Sequence, residues 1–172
     1  ANSKIYEKYK AGWFSNAGAT TKITNVAIPV RQYYTFTGYY TKRTAVEGNY
    51  TKVVDASGKI LVDPDMVADT TLYAWWTVNT YTVVYSANGG TGSMASVQHT
   101  CTEAKNLTKN AFTHSANASE FLGWATNSSA TQPEYTDGQN VVNLSDKNGA
   151  TVTLYAVWKA CTACSAGTGA TC

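Results

Sequence analysis

Polar and apolar residues alternate along two stretches that nearly duplicate one another, Thr71-Leu72-Tyr73-Ala74-Trp75-Trp76 and Thr153-Leu154-Tyr155-Ala156-Val157-Trp158. Successive side chains of a strand point to opposite faces, so the pattern predicts a strand in each copy. Leu72, Ala74, Trp76 and Val78 share one face of the first, and Val152, Leu154, Ala156 and Trp158 share one face of the second. The same Leu-Ala-Trp row is expected to face a core in both places, where a buried Leu or Trp contributes about 2–3 kcal/mol. A second pair of segments also matches: Phe36-Thr37-Gly38-Tyr39-Tyr40-Thr41 and Phe121-Leu122-Gly123-Trp124-Ala125-Thr126. The copies are 82 residues apart at the Leu-Ala-Trp row (154 minus 72) and 85 apart at the glycine (123 minus 38). Two anchors in the same order, with a three-residue difference between them, define an internal repeat. Its expected core is Phe36, Gly38, Leu72, Ala74 and Trp76 in one copy and Phe121, Gly123, Trp124, Leu154, Ala156 and Trp158 in the other.

The remaining pattern adds weaker elements. Residues 1–10 can begin a strand, and Ile23 to Val30 is a candidate strand with Pro29 near its end, where proline fits an edge or a terminus. The glycine inside Tyr33 to Tyr40 signals a bulge or a close backbone approach. Thr51–Val54 and Lys59–Val62 flank Asp55-Ala56-Ser57-Gly58 and read as a hairpin. Asp63-Pro64-Asp65 can open one helical turn through Ala68, and Cys101–Asn110 can hold one or two. Only Thr77-Val78-Asn79-Thr80 separates the organising strand from the next one, Tyr81–Tyr85. No Gly/Ser- or Pro-rich linker intervenes, so an end-to-end arrangement with a restricted angle is expected. Val141, Val142 and Leu144 lead into the last strand. After Lys159 the apolar periodicity stops.

Length and composition agree with two small domains. The chain has 172 residues, of which 14% are charged and 12% aromatic. This low-charge, aromatic and β-branched composition suits pleated sheet. The expected fold is mainly β (α+β), with two tandem domains over residues 1–78 and 79–159, little helix, and a Cys-rich tail over 160–172. Net charge is +2 with no basic stripe, which argues against a nucleic-acid partner. No apolar run approaches the roughly 20 residues of a membrane-spanning helix.

Candidate chemistry is sparse. The four cysteines, Cys101, Cys161, Cys164 and Cys172, are disulfide candidates in three alternative complete pairings, with free or intermolecular thiols as the alternative. Their spacing, with no His nearby, is poor for a structural zinc site. His99 and His114 are read as solvated loop residues. Asp63 and Asp65 lack the further spaced oxygens of a calcium loop and read as a helix start. Ser86-Ala87-Asn88-Gly89-Gly90-Thr91-Gly92 lacks the endings of the phosphate-binding glycine motifs and reads as a turn. Trp75 and Tyr73, with Tyr39 and Tyr40, are candidates for an interface or for stacking on a glycan. Asn49, Asn106, Asn117, Asn127 and Asn143 are the five Asn-x-Ser/Thr acceptors. No catalytic, cofactor-binding or metal-ligating set can be assembled from these spacings.

The two anchors and the Asn88-Gly89-Gly90 loop together resemble the Listeria–Bacteroides repeat, the internalin B-repeat. The second unit carries it best, through Tyr81-Thr-Val-Val-Tyr-Ser-Ala-Asn-Gly-Gly, Phe121-x-Gly-Trp124 and Thr153-Leu-Tyr-Ala-Val-Trp158. The first unit retains Tyr34-Thr-Phe-Thr-Gly-Tyr-Tyr and Thr71-Leu-Tyr-Ala-Trp-Trp but lacks the Asn-Gly-Gly opening. The resemblance implies a bacterial, extracellular, tandemly arrayed protein of compact β-grasp-like domains. Each would have about four strands with a helical or irregular crossover, and no catalytic residues.

Three function classes follow. The first is a rigid spacer or stalk of a cell-surface protein, without enzymatic activity. The second is a self-assembling filament subunit joined by strand addition or disulfides. The third is an adhesin that binds glycan or a host protein through exposed aromatics. The expected partners are other protein domains, further copies of the chain, or a glycan. No cofactor is expected.

Overall fold

The computed structural model describes residues 6–8, 12–62, 71–114 and 120–159, with the strand path alone for 6–8. The chain divides into two compact units, residues 1–77 and 78–172. The helical turn expected from Asp63 and Asp65, the acceptor Asn117, and the tail cysteines Cys161, Cys164 and Cys172 lie outside the described residues. Among the described residues the helical content is one 3-10 turn, Ala45–Glu47, and no helix is long and apolar enough to cross a membrane. The protein is mainly β.

In the first unit β1 (Tyr6–Lys8), β2 (Gly12–Phe14) and β3 (Lys22–Ile23) form an antiparallel sheet. The strand expected over Ile23–Val30 is cut short. Ile28 is 50% exposed and Val30 95%, so these side chains gain nothing from continuing a ladder. The path nevertheless stays close to the next hairpin: Val26 N–H donates to Gly58 O and Ile60 N–H to Thr24 O. That hairpin pairs β5 (Lys52–Val54) with Ile60 and Leu61 around the Asp55–Gly58 turn. Asp55 Oδ1 accepts from the Ser57 and Lys59 amides at 2.8 and 2.9 Å, the local side-chain bonding that favours Asp in turns. β4 (Tyr34–Tyr40) lies between β5 and β6 (Tyr73–Val78). Phe36, Val53 and Val54 are the buried centre. Leu72, Ala74 and Trp76 are half-buried, and the Trp76 ring meets Phe36 edge-on at 5.5 Å.

The second unit is built on a four-stranded sheet. Its strands are β7 (Thr80–Ser86), β8 (Val97–Thr100), β10 (Phe121–Ala125) and β12 (Ala150–Trp158), in the order β10-β12-β7-β8. The first and last of these strands are parallel neighbours in the middle, and both outer pairs are antiparallel. Two strands covered on both sides of the ladder supply most of the core. Tyr81, Val83 and Tyr85 alternate inward from β7, and Leu154, Ala156 and Val157 are buried on β12. Trp124 of β10 is fully buried, with Tyr85, Phe121 and Phe112 around its ring at 4.8 to 6.2 Å.

The crossover from β8 to β10 contains no helix among the described residues, which corrects the helical turns expected over 101–110. Cys101 and Thr102 begin a turn, and β9 (Lys105–Asn106) pairs with β11 (Asn140–Val141). Leu107 and Phe112 tether this irregular segment by burying their side chains. On the outer edge of the sheet, Lys105 Nζ donates to Gln98 O of β8 at 2.8 Å.

The paired glycines have one geometry in both units. Gly38 has φ +142° and Gly123 φ +145°, a region open essentially to glycine alone. A Cβ at Gly38 would collide with Val54 O and lie 2.7 Å from Lys52 Cε, and one at Gly123 would collide with Tyr135 O and lie 2.7 Å from Pro133 Cβ. Each glycine lets an adjoining backbone approach its strand, and the ladder register shifts beside each, between Tyr39 and Tyr40 and between Phe121 and Gly123.

Candidate functional site

The aromatic residues of the first unit gather around β6. Tyr40 at the end of β4 stacks on Trp75 of β6, with centroids 4.0 Å apart and planes 18° from parallel. Tyr50, exposed on the following loop, closes on both rings at 5.7 and 4.8 Å. Trp75 Nε1–H donates to Lys42 O at 2.9 Å, which holds the indole to the loop after β4. Offset aromatic pairs of this kind add about 0.5–1.5 kcal/mol beyond the area they bury. Tyr39 belongs to a different group and packs edge-on against Phe36 at 5.0 Å. Of the four residues singled out for stacking, Tyr40 and Trp75 therefore engage one another directly.

Tyr73 lies on the same strand with Arg43 over its ring at 5.6 Å, and Arg31 sits over Tyr34 at 3.8 Å. Arg31, Arg43, Tyr34, Trp75 and Trp76 contribute to a shallow groove of about 330 Å³. Sequence reasoning did not single out Arg31, Arg43, Tyr34 or Tyr50. Only the adjacency of aromatic-rich β4 to β6 brings them together, and no local periodicity carries that information.

The second unit has titratable groups in its core. His99 is not a solvated loop residue: it lies on β8, is 1% exposed and stacks on Tyr81 at 5.3 Å. Neither ring nitrogen has a hydrogen-bond partner among the described residues. Burial, and secondarily the Lys105 ammonium, lowers its pKa, so the ring is neutral at pH 7. The alternation Val97, His99, Cys101 was the signal for an inward His. His114 is half-buried against Trp158, whose Nε1–H donates to Ala87 O. Cys101 is a buried free thiol that donates to Ser145 O at 3.3 Å. Burial and then the Asp146 carboxylate push its pKa up, which keeps the thiol protonated and unreactive.

The Ser86–Gly92 loop is a tight turn, with Asn88 and Gly89 both at positive φ and Gly90 N–H closing onto Ala87 O. Its Asn88 Nδ2 donates to Ala156 O of β12 and to Ser128 O. Gly90 packs so closely that a Cβ would sit 2.7 Å from Thr113 O. The Asn-Gly-Gly string thus ties a turn to the last strand. Among the glycosylation acceptors, Asn49, Asn106 and Asn127 are exposed. Asn143 is half-buried at φ 56° with its Oδ1 accepting from Thr102 N–H at 2.7 Å. No group of three His, Cys, Asp or Glu side chains that could hold a metal occurs among the described residues.

The turn, the glycine-aromatic strand and the last strand all fall within one stretch that a known family describes. Residues 81–157 match the Listeria-Bacteroides repeat domain. This repeat is typical of bacterial surface or extracellular proteins and is generally non-catalytic. The match lies within the second unit, and residues 1–80 and 158–172 lie outside it. Neither the curated proteins nor the solved structures yield a match to the chain. Within the repeat domain, the side chains behind the shared motif are packing groups: Trp124, Leu154 and Ala156 are fully buried, and Phe121 meets Trp158, one residue past the match, edge-on at 5.5 Å.

Proposed function

We propose that the chain is a non-catalytic, extracellular structural segment of a bacterial cell-surface protein, a spacer or stalk of two tandem β-grasp-like units. The observation that carries this reading is the repeat-domain match over residues 81–157, in which the motif side chains serve the core and the turns. The sheet order, with first and last strands parallel at the centre, supports the β-grasp reading of the second unit. The common geometry of Gly38 and Gly123 supports reading the first unit as a diverged copy.

A self-assembling filament subunit is the second reading, and one observation favours it. Among the described residues β6 has a strand neighbour on one side, β4, whereas its counterpart β12 is flanked by β10 and β7. An open strand edge is a template for strand addition. The edge of β8 is different, because Lys105 occupies the Gln98 carbonyl there. Sedimentation of the full chain over a wide concentration range, without reductant, tests both readings beside negative-stain microscopy. A spacer remains monomeric at every concentration. Regular filaments, or intermolecular disulfides through Cys161, Cys164 or Cys172, would overturn the spacer reading in favour of assembly.

A further inference from the structure

The groove on the first unit combines features that a purely structural spacer does not need. We propose that it is a binding site for an acidic saccharide, with Arg31 and Arg43 receiving a carboxylate or sulfate and the aromatic side chains of β4 and β6 meeting the sugar ring. Both arginines are exposed, and among the described residues the ion pair formed is Lys159–Glu120, in the other unit. Each guanidinium is held over a tyrosine ring, Arg31 over Tyr34 and Arg43 over Tyr73. Cation–π contact of this kind leaves the N–H fork free and lowers the side-chain entropy lost when an anion is bound. Glu47, the acid nearest Arg43 in sequence, turns back onto the Arg43 amide and the Thr44 hydroxyl at 3.2 and 3.4 Å. Among the described residues no carboxylate lines the groove. Two guanidinium groups that form no ion pair among the described residues are complementary to a planar oxyanion, which arginine binds bidentately.

The choice of a saccharide over other anions rests on the aromatic wall and on the charge. Trp75 is fixed by its bond to Lys42 O and its stack on Tyr40. It lines the groove beside Tyr34 and Trp76, and aromatic side chains are the groups that meet the C–H faces of a pyranose. A groove of about 330 Å³ is at the small end of the range for ligand sites. Two arginines in a chain of net charge +2 are too few for the multi-phosphate contacts of nucleic-acid binding. The inference goes beyond the spacer reading and does not depend on it: a stalk and a filament subunit could each carry the site.

The test is titration of the full chain, at low and at physiological salt, with a heparin-derived hexasaccharide, an oligogalacturonate and neutral maltohexaose, followed by calorimetry and tryptophan fluorescence. At least one acidic oligosaccharide should bind saturably, more weakly as salt rises, while maltohexaose does not bind. The Arg31→Ala/Arg43→Ala double variant should lose about tenfold or more in affinity, as expected for charged hydrogen bonds, with its thermal unfolding unchanged. Arg43→Lys provides a second variant that keeps the charge and removes the fork, and it should fall between the two. Absence of saturable binding to both acidic oligosaccharides would overturn the proposal. So would affinity that survives the double substitution, or single-stranded DNA binding as tightly as the saccharides through the same arginines.

Discussion

Replacing Gly123 by alanine measures how far the second unit depends on one close backbone approach. The new methyl would meet Tyr135 O and lie 2.7 Å from Pro133 Cβ. Neither can retreat cheaply, because Tyr135 N–H and Glu134 N–H both donate to Trp124 O, and Trp124 N–H donates to Tyr135 O. The φ of +145° adds strain of about 1–3 kcal/mol for a residue with a Cβ. Overpacking against a fixed backbone adds about 1–3 kcal/mol more. Together these reach roughly 2–6 kcal/mol, against a total of roughly 4–12 kcal/mol for a unit of about 80 residues. With about 4–8 °C lost per kcal/mol in a domain of this size, the melting temperature should fall by about 10 °C or more. The assay is thermal unfolding of the full chain by circular dichroism, with hydrogen exchange and mass spectrometry assigning the shifted transition to residues 78–159. Gly149→Ala is the matched control. Gly149 has φ +73° with nothing within 4 Å of an added Cβ, so backbone strain alone applies, costing about 1–2 kcal/mol. A shift for Gly123→Ala no larger than that for Gly149→Ala would refute the argument that the collision matters.

Three further outcomes follow from the packing. His99 has a folded-state pKa below its unfolded value, so the unfolded state binds the extra proton. Stability of the second unit should be fully present above about pH 6.5 and fall as pH drops below it, and His99→Phe should abolish that slope in denaturant titrations run from pH 7.5 to 5. Tyr40 and Trp75 stack directly, so a double-mutant cycle of Tyr40→Ala and Trp75→Ala should give a coupling energy of about 0.5–1.5 kcal/mol; additive losses in urea unfolding would mean the stack contributes nothing specific. Asn88→Ala removes donors to Ala156 O and Ser128 O at a positive-φ position and should cost about 1–3 kcal/mol, read in the same urea titration, whereas Asn127→Ala, which loses one exposed local bond to the Ser129 amide, should change little.

Much of the fold was legible from local pattern. Period-2 alternation and β-branched, aromatic composition marked the strands, and the Phe-x-Gly-aromatic and Leu-Tyr-Ala segments of residues 121–156 marked the repeat domain matched over 81–157. The Asn-Gly-Gly string marked a turn, because positive φ at adjacent residues is a local steric matter that composition reveals. The site was barely legible. Trp75 and Tyr40 were visible as aromatic residues, but Arg31 and Arg43 line one groove with Trp75 only because β4 and β6 are neighbours in the sheet.

The sequence by itself determined that this is a β protein with two repeated anchors, since strand faces, glycine conformations and turn residues depend on near neighbours along the chain. The tertiary structure alone decided what each face meets. It buried His99 and Cys101, which stand among polar residues in sequence, because β8 pairs with β7 and the row Val97, His99, Cys101 turns inward. It replaced the expected helical turns after Cys101 with a turn and a short strand, since Lys105 and Asn106 find ladder partners in Val141 and Asn140. It also made two nearly identical strands unequal. β12 gains the parallel partner β7 and buries Leu154 and Ala156 fully, while β6, flanked by β4 alone among the described residues, leaves Ala74 and the preceding Leu72 half-covered. Burial depends on contacts between residues far apart in the chain, and a repeated local pattern contains no record of which partners complete it.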